Sequence, residues 1–205
     1  MIDEQPRAEP RVRYDVCFPV QGGVVPLDHG YALFGALCQV FGDLHGAPWL
    51  QVLPLAGGRV DSADRSPRLR TSVLRLRVTP EHVGTVVALA GKTLEVANAR
   101  LLVGVPSVYP LRPASALASR LVTFKHHLEE ASFAEHVAGE LERKRVRAEI
   151  HLGRRRVVRV AGAKVVGFGL ALRGLDEADS LRMQYDGLGG RQRFGCGVFG
   201  PEGAA

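Results

Sequence analysis

The amino-acid sequence predicts an α+β protein made of two tandem ferredoxin-like domains, each with the element order βαββαβ. Segments in which apolar and polar residues alternate, as in half-buried strands, are interspersed with segments of helical spacing. The same order of elements occurs twice. A segment with three prolines, residues 106–113, separates the two runs. We therefore expect an N-terminal domain at residues 1–110 and a C-terminal domain at residues 111–205.

The elements of the N-terminal domain follow from these two periodicities. Asp28 is expected to cap the first helix, and Thr79 followed by Pro80 is a favourable start for the second. The polar, turn-rich residues 57–67 are expected to form a hairpin loop. In chain order, the pattern predicts a strand at 12–20, a helix at 28–42, strands at 50–55 and 74–78, a helix at 79–91 and a strand at 94–103.

The C-terminal domain repeats this order with weaker signals. Ser132 and Glu135 form a capping box, and apolar residues at 133, 137 and 141 share one face of the helix that follows. A second helix is expected to end before Gly187. The predicted elements are a strand at 120–125, a helix from 132, short strands at 147–152 and 157–160, a strand at 166–172 and a helix at 176–185.

Composition excludes several classes of protein. Apolar residues make up 46% of the 205 residues, which excludes disorder as the main state. No stretch approaches the roughly 18 apolar residues of a membrane span, and the first residues lack the pattern of a signal peptide, so a cytoplasmic protein is expected. Three widely spaced cysteines fit neither a disulfide framework nor a zinc knuckle.

The net charge of +6 is concentrated in the second half of the chain. Residues 1–110 carry 11 basic and 10 acidic side chains, whereas residues 111–205 carry 16 and 11. Most basic residues between 143 and 159 are arginines, which bind phosphate through a planar fork. A solvated basic face and a polyanion-binding surface explain this run equally well.

Glycines are densest in residues 187–200. Glycine lets backbone N–H groups approach a phosphate closely, so this segment could hold a polyanion. It could equally be a loop leading into an edge strand. Residues 195–200 spell G-x-G-x-x-G, but Pro201 follows at once and no helix N-terminus is available for a pyrophosphate. We therefore expect no dinucleotide or other nucleotide cofactor.

The same segment carries a family resemblance. Gly187-Leu188-Gly189, five further residues and Gly195-Cys196-Gly197 resemble the C-terminal glycine-rich signature of the CRISPR-associated repeat-cleaving endoribonucleases. These RAMP-superfamily proteins have two ferredoxin-like domains, and this chain looks most similar to the compact members of type I systems. Further similar motifs are Asp28-His29-Gly30-Tyr31-Ala32-Leu33, Leu44-His45 and Leu121-Val122-Thr123-Phe124-Lys125.

The resemblance implies that His45 is the general acid or base of RNA cleavage. Histidine suits both proton transfers because its pKa lies near neutrality. Tyr31 and His29 are the nearest competitors, although Tyr31 also fits the apolar stripe of its helix. A lysine that the family often has shortly after this histidine is missing from residues 46–58, so an arginine or the N–H groups of the glycine loop must meet the transition-state charge.

The resemblance also implies an RNA partner, a CRISPR repeat hairpin, and other subunits of an effector complex. No spacing typical of metal ligands is present, so no metal site and no cofactor are expected. The residues assigned to RNA binding are Lys125, Arg143, Lys144, Arg145, Arg154, Arg155, Arg156, Gly187, Gly189, Arg191, Arg193, Gly195 and Gly197. The other histidines, expected on helices, in loops or on a strand, are His82, His126, His127, His136 and His151.

Three functions remain open from the sequence. The first is a metal-independent endoribonuclease that cuts repeat hairpins, leaves a 2′,3′-cyclic phosphate and a 5′-OH, and retains its product. The second is a noncatalytic RNA-binding subunit of the same superfamily. The third is a reader of single-stranded RNA in which Phe168, within the partial motif at residues 164–169, stacks on bases.

Overall fold

The computed structural model describes residues 12–42, 44–60 and 68–203 of the chain. Two antiparallel sheets are formed, one from strands between Tyr14 and Pro110 and the other from strands between Ala116 and Pro201. Both have the ferredoxin-like strand order, in which the first strand of the βαββαβ unit lies between the third and the fourth strands of that unit. The predicted fold class is therefore confirmed.

In the N-terminal half, the first strand is the centre of the sheet. It pairs with β5 on one side and with β7 and then β8 on the other, and β2, β3 and β4 all pair with β5. A short 3₁₀ helix, Pro80–His82, precedes α2. The elements are β1 (Tyr14–Gly22), β2 (Val24–Pro26), α1 (Gly30–Phe41), β3 (Leu50–Val52), β4 (Ala56–Val60), β5 (Arg68–Val78), α2 (Val83–Val87), β6 (Thr93–Val96), β7 (Ala99–Val103) and β8 (Ser107–Pro110).

The C-terminal half has the sheet order β10-β11-β9-β12. A second 3₁₀ helix, Gln192–Phe194, lies within the glycine-rich segment. The elements are β9 (Ala116–Val122), α3 (Glu130–Arg143), β10 (Glu149–Val160), β11 (Ala163–Arg173), α4 (Glu177–Asp186) and β12 (Gly200–Pro201). None of the helices in the described residues is long and apolar enough to cross a bilayer.

Each half buries its own core. Leu33, Phe34 and Leu37 of α1 pack in one cluster with the sheet residues that alternate along β1 and β5. Phe133 and Val137 of α3, at the predicted spacing of four, pack in a second cluster against β9 and β11. Helical spacing on one side and strand alternation on the other thus supply the two faces of each core.

Several predicted boundaries were wrong. Residues 94–103 form a hairpin, β6 and β7, because Ala97 and Asn98 adopt the left-handed backbone of a tight turn. The two strands expected within residues 147–160 are one long strand, β10 (Glu149–Val160), whose register shifts between Leu152 and Arg155. The proline-bearing segment contains β8, and the predicted hairpin loop begins with β4, while its residues 61–67 lie outside the described part.

Two predicted helix caps were also wrong. Helix α1 begins at Gly30 without a side-chain cap, and the Asp28 carboxylate instead accepts the N–H of Arg159 at 2.7 Å. Helix α3 begins at Glu130, so Ser132 lies in its first turn and contacts the Nδ1 atom of His127 at 2.8 Å. In both places another contact, distant in the chain for Asp28 and local for Ser132, takes the side chain that capping would have used.

Candidate active site

His45 lies in the turn that follows α1. Its side chain is exposed, whereas Leu44, immediately before it, is buried in the N-terminal core. The His45 ring meets the Phe34 ring edge-on, with the centroids 5.1 Å apart. The end of α1 thus presents a histidine to solvent on an apolar support.

The glycine-rich segment packs against this same helix. The Phe194 ring contacts Phe34 at 5.1 Å and Tyr31 at 5.7 Å between centroids, both in edge-on geometry. Gly30 permits this approach, because a Cβ atom there would collide with the carbonyl of Phe194. Tyr31 is 45% exposed and lies outside the core, which removes the interpretation of Tyr31 as a core residue of the α1 stripe.

Arg193 joins the two parts of this site. Its Nη1 atom lies 3.5 Å from the carbonyl oxygen of Leu44, the residue before His45. Arg191, two residues earlier, is exposed and has a left-handed backbone. The fold therefore brings His45, Tyr31 and the arginine-bearing part of the glycine segment together around Phe34 of α1.

The glycines of this segment serve its own folding. Gly197 has φ of 64°, and a Cβ atom there would collide with the carbonyl of Leu188; Gly187, Gly189 and Gly195 also have positive φ. The N–H of Gly197 donates to Leu121 at 2.7 Å, that of Gly195 to Gln192, and that of Gly187 to Met183. These three N–H groups are thus engaged within the protein rather than offered to a phosphate.

His29 occupies a different environment from His45. It is 2% exposed, its Nδ1 lies 2.9 Å from the carbonyl of Pro26, and its Nε2 accepts the N–H of Leu55 at 3.0 Å. This pair of bonds fixes the neutral tautomer with the proton on Nδ1. Burial, the largest cause, lowers the pKa of His29 below its ordinary value. The structure thus places His29 in the framework.

A cavity of about 410 Å³ lies between the two halves, away from His45. It is lined by His29, by apolar residues of both halves and by Arg75 and Arg120. Burial lowers the pKa of Arg120. Its Nε atom is buried without a hydrogen-bond partner among the described residues. Neither His45 nor Tyr31 lines this cavity.

The basic residues assigned to RNA are not equivalent in the structure. Arg143 lies 2.5 Å from the Glu140 carboxylate, and Lys144 lies 3.5 Å from Asp186, so acidic side chains partly neutralise both. Lys125 and Arg145 are exposed, and Arg145 has a left-handed backbone. Arg143 and Lys144 are thus partly committed to ion pairs within the C-terminal half.

Arg154, Arg155 and Arg156 are all exposed on β10. Because successive strand residues point to opposite faces, Arg155 and Arg156 lie on opposite sides of the sheet. The Nε atom of Arg155 is 3.4 Å from the carbonyl of Leu128. Arg156 lies near Arg120 and, after burial, is the next cause of the lowered Arg120 pKa. This run therefore presents charge on both faces of the β10 edge.

The third function open from the sequence is contradicted by the position of Phe168. This side chain is 2% exposed and packs against Phe133 in the C-terminal core, with ring centroids 4.7 Å apart. A buried ring offers no face to a nucleobase. The resemblance of residues 164–169 to a base-stacking motif thus reflects core packing.

Two ring stacks were missed in the sequence because their partners are distant in the chain. Trp49 lies flat on His82, with centroids 4.2 Å apart and planes 2° from parallel. His127 lies on His136 at 4.0 Å, and burial together with the His127 charge lowers the pKa of His136.

The apolar spacing of Phe34 in α1 indicated only a core residue. No spacing signalled its contact with Phe194, because that contact depends on how the halves pack.

Metal ligation has no candidate among residues 12–42, 44–60 and 68–203, where no group of three or more His, Cys, Asp or Glu side chains is close enough to hold an ion.

Comparison with known proteins gives consistent relatives. The family described as Cas6 Crispr matches residues 14–204. The CRISPR-associated endonuclease Cas6 of Myxococcus xanthus (strain DK1622) is 46% identical over 191 residues, which cover 93% of this chain and 82% of that protein.

Solved structures show the same fold at low sequence identity. One titled CRISPR associated protein Cas6 has a TM-score of 0.64 at 15% identity and covers 93% of this chain and 98% of its own. Cse3 of Thermus thermophilus, bound to an RNA representing a pre-cleavage complex, has a TM-score of 0.54 at 13% identity and covers 92% and 98%.

Proposed function

The chain belongs to the Cas6 family, and on that premise we propose that it is a metal-independent endoribonuclease that cuts the repeat hairpins of precursor CRISPR RNA. The 2′-OH beside the scissile phosphate attacks phosphorus, and the bond to the 5′-oxygen breaks. The products carry a 2′,3′-cyclic phosphate and a 5′-OH. The nucleophile belongs to the substrate, so the protein contributes proton transfer, alignment and charge.

His45 is the proposed general acid or base. The observation that carries this assignment is the meeting of an exposed His45 with the glycine-rich segment at Phe34 of α1, whose ring contacts both His45 and Phe194. An exposed imidazole can exchange protons with substrate and solvent. The buried His29, with both nitrogens bonded to the main chain, is proposed as a framework residue instead.

Tyr31 and Arg193 complete the proposed site. Tyr31 is exposed beside Phe194, where its hydroxyl can position a phosphate or donate a proton. Arg193 reaches the carbonyl before His45, and three N–H groups of the glycine segment are engaged internally. We therefore assign the stabilisation of transition-state charge to Arg193 rather than to those N–H groups.

RNA binding is assigned to the basic surface of the C-terminal half. Arg154, Arg155 and Arg156 are exposed, which suits contacts with backbone phosphates. Strong phosphate contacts would also let the protein retain its product and carry it to other subunits of an effector complex. Under this proposal residues 1–110 form the domain that holds His45, and residues 111–205 form the RNA-binding domain.

The decisive experiment replaces His45 by alanine. If this side chain moves a proton in the rate-limiting step, the single-turnover cleavage rate falls about 10²- to 10⁴-fold. The dissociation constant for a repeat hairpin with a 2′-deoxy cut site stays unchanged, because His45 contributes to chemistry rather than to affinity. The measurement uses excess protein, gel-resolved products and EDTA, and cutting continues in EDTA.

Three further variants provide the comparison. His151→Ala removes an exposed histidine outside the site and should cut at the wild-type rate. Tyr31→Phe keeps the ring and loses the hydroxyl, so its rate should fall less than that of His45→Ala. His29→Gln should lose stability more than rate. A wild-type chain that binds the hairpin and leaves it whole would favour the noncatalytic RNA-binding subunit instead.

A further inference from the structure

Main-chain hydrogen bonds hold part of the turn that carries His45, residues 44–49. The N–H of Ala47 donates to Leu44 at 3.1 Å, and that of Leu50 donates to Ala47 at 3.4 Å. Pro48 has no N–H to donate. The peptide unit that precedes Pro48 therefore cannot be fixed by a main-chain N–H of its own.

Arg13, immediately before β1, donates two hydrogen bonds to this turn. Its Nη2 donates to the carbonyl of Pro48 at 2.9 Å, and its Nη1 donates to the carbonyl of Trp49 at 3.0 Å. A planar guanidinium that holds two consecutive carbonyls fixes both peptide planes. Because Arg13 adjoins β1, the central strand of the sheet, these two hydrogen bonds attach the turn to the sheet.

The Trp49 ring provides a second attachment. It lies flat on His82, and the N–H of Thr79 donates to the Trp49 carbonyl at 3.3 Å. The Thr79 hydroxyl donates to Glu81 at 2.7 Å and lies 3.0 Å from Nδ1 of His82, so it accepts the proton of that nitrogen. This network orients the His82 ring beneath Trp49.

We propose that Arg13 is a positioning residue, which holds the 44–49 turn so that His45 is aligned for proton transfer. This inference rests on the proposed role of His45. It places Arg13 outside the reacting atoms, since both of its terminal nitrogens donate to main-chain carbonyls of the turn. Misplacement of a catalytic group by about 1 Å can cost on the order of 10²-fold in rate, which is the scale expected here.

The test compares Arg13→Ala and Arg13→Lys with Arg100→Ala, which removes an exposed arginine of β7. Arg13→Ala should slow single-turnover cleavage about 10- to 100-fold and leave the dissociation constant for the 2′-deoxy hairpin within about twofold. Arg13→Lys keeps the charge but can hold one carbonyl at a time, so it should recover part of the rate. Arg100→Ala should cut like the wild type.

Fluorescence of Trp49, the single tryptophan of the chain, reports on the turn without any cleavage. Arg13→Ala should shift its emission to longer wavelength, because the ring loses part of its packing, while Arg100→Ala leaves the emission unchanged. An Arg13→Ala protein with wild-type rate and emission would overturn the proposal. So would equal losses in affinity and rate, since they would make Arg13 an RNA contact.

Failure of the proposed function gives a different result. In that case His45→Ala cuts as fast as the wild type, or the wild type does not cut. The emission of Arg13→Ala then decides whether Arg13 holds the turn: a shift supports its structural part, and unchanged emission refutes it.

Discussion

Burial gives His29 and His45, 16 positions apart, different chemistry. His29 has both ring nitrogens bonded to the main chain, and its pKa is lowered by burial. His45 is exposed beside Phe34. The first can hold a loop in place but takes up a proton only at a cost in stability, whereas the second is accessible to solvent and to a substrate.

The pH dependence of stability should carry the signature of His29. Its folded-state pKa lies below the ordinary value of about 6.5, so the unfolded chain binds the proton more readily. The contribution of neutral His29 to the free energy of unfolding is present in full above pH 6.5. As pH falls below 6.5 towards the folded-state pKa, the free energy of unfolding decreases by up to about 1.4 kcal/mol per pH unit.

Urea unfolding between pH 5.5 and 7.5 tests this. His29→Gln should be less stable at pH 7.5 and should lack this part of the pH dependence, while His151→Gln should keep it. His136, whose pKa is also lowered, acts in the same direction in all three proteins and cancels in the comparison. Identical pH slopes for His29→Gln and the wild type would refute the assignment.

At the scale of single residues, the sequence indicated candidates but could not separate them. His29 and His45 both lie near the ends of a predicted helix, and the resemblance alone favoured His45. What separates them is the position of Pro26 and Leu55 around His29, and these contacts come from the packing of loops. The role proposed for Arg13 also could not be predicted from the sequence, because its carbonyl partners lie 35 and 36 residues away.

Among the elements, the glycine-rich segment depends most strictly on residue type. Gly187, Gly189, Gly195 and Gly197 adopt positive φ, and a Cβ atom at each would meet a neighbour closer than 3.4 Å. Gly190 is different: a Cβ atom there would meet nothing within 4 Å. The same segment thus offers strained sites and a matched control.

Gly197→Ala should be strongly destabilising. A non-glycine residue with positive φ costs about 1–3 kcal/mol, and here the new methyl also collides with the Leu188 carbonyl. We expect a lower urea midpoint and slower hairpin cleavage, since Arg193 and Phe194 lie in the same loop. Gly190→Ala should match the wild type in both measurements, and equal behaviour of the two variants would contradict this account.

The arginine run of β10 has its own test in salt. Replacing Arg154, Arg155 and Arg156 together by alanine should weaken hairpin binding and flatten the plot of log K against log salt. Each lost phosphate contact lowers the slope by roughly 0.7 to 0.9. Arg100→Ala is the control for the loss of a positive charge. An unchanged slope would mean that the three arginines form a solvated basic face and do not bind RNA.

Elements were predicted well where periodicity continued and poorly where a tertiary contact interrupted it. Helices α1 and α4 end at Gly42 and Gly187, as their glycines indicated. Strand β10 was predicted as two short strands, but it continues through a register shift between Leu152 and Arg155, where Gly153 passes close to Gly169 of β11. The β6–β7 turn was missed because Ala97 and Asn98 contain no glycine.

Across the whole molecule, Arg77 joins the two halves. It is fully buried, forms a two-point ion pair with Asp15 at 2.7 and 3.1 Å, and donates to the carbonyls of Gln184 and Phe199. Gln51, also buried, donates to the carbonyl of Tyr185 and to the Gln192 side chain. Both residues hold the end of α4, from which the glycine-rich segment departs.

Arg77→Met should cost about 3–5 kcal/mol in the free energy of unfolding, the range for removing one member of a buried ion pair. The loss leaves the Asp15 charge and two carbonyls without their donor. Adding Asp15→Asn to Arg77→Met should restore part of the stability, because it removes the uncompensated charge. Urea unfolding of both single variants and the double variant measures this coupling, and simple additivity would contradict it.

At this scale the sequence predicted both domains but not their interface. The alternation of Leu74, Leu76 and Val78 with Arg75 and Arg77 correctly gave β5 an apolar and a polar face. Which polar residues are covered depends on the second half of the chain. Arg77 is fully buried, whereas Arg75, with the same parity, is only partly buried, and no local pattern distinguishes the two.

The partners of Arg77 also set an order of events during synthesis. The ribosome completes Gln184 and Phe199 only 107 and 122 residues after Arg77. Until then the nascent N-terminal half has Asp15 alone to satisfy an arginine destined for full burial. Its sheet must therefore keep that side chain hydrated while translation continues, and the growing chain closes the interface only after Phe199 has been made.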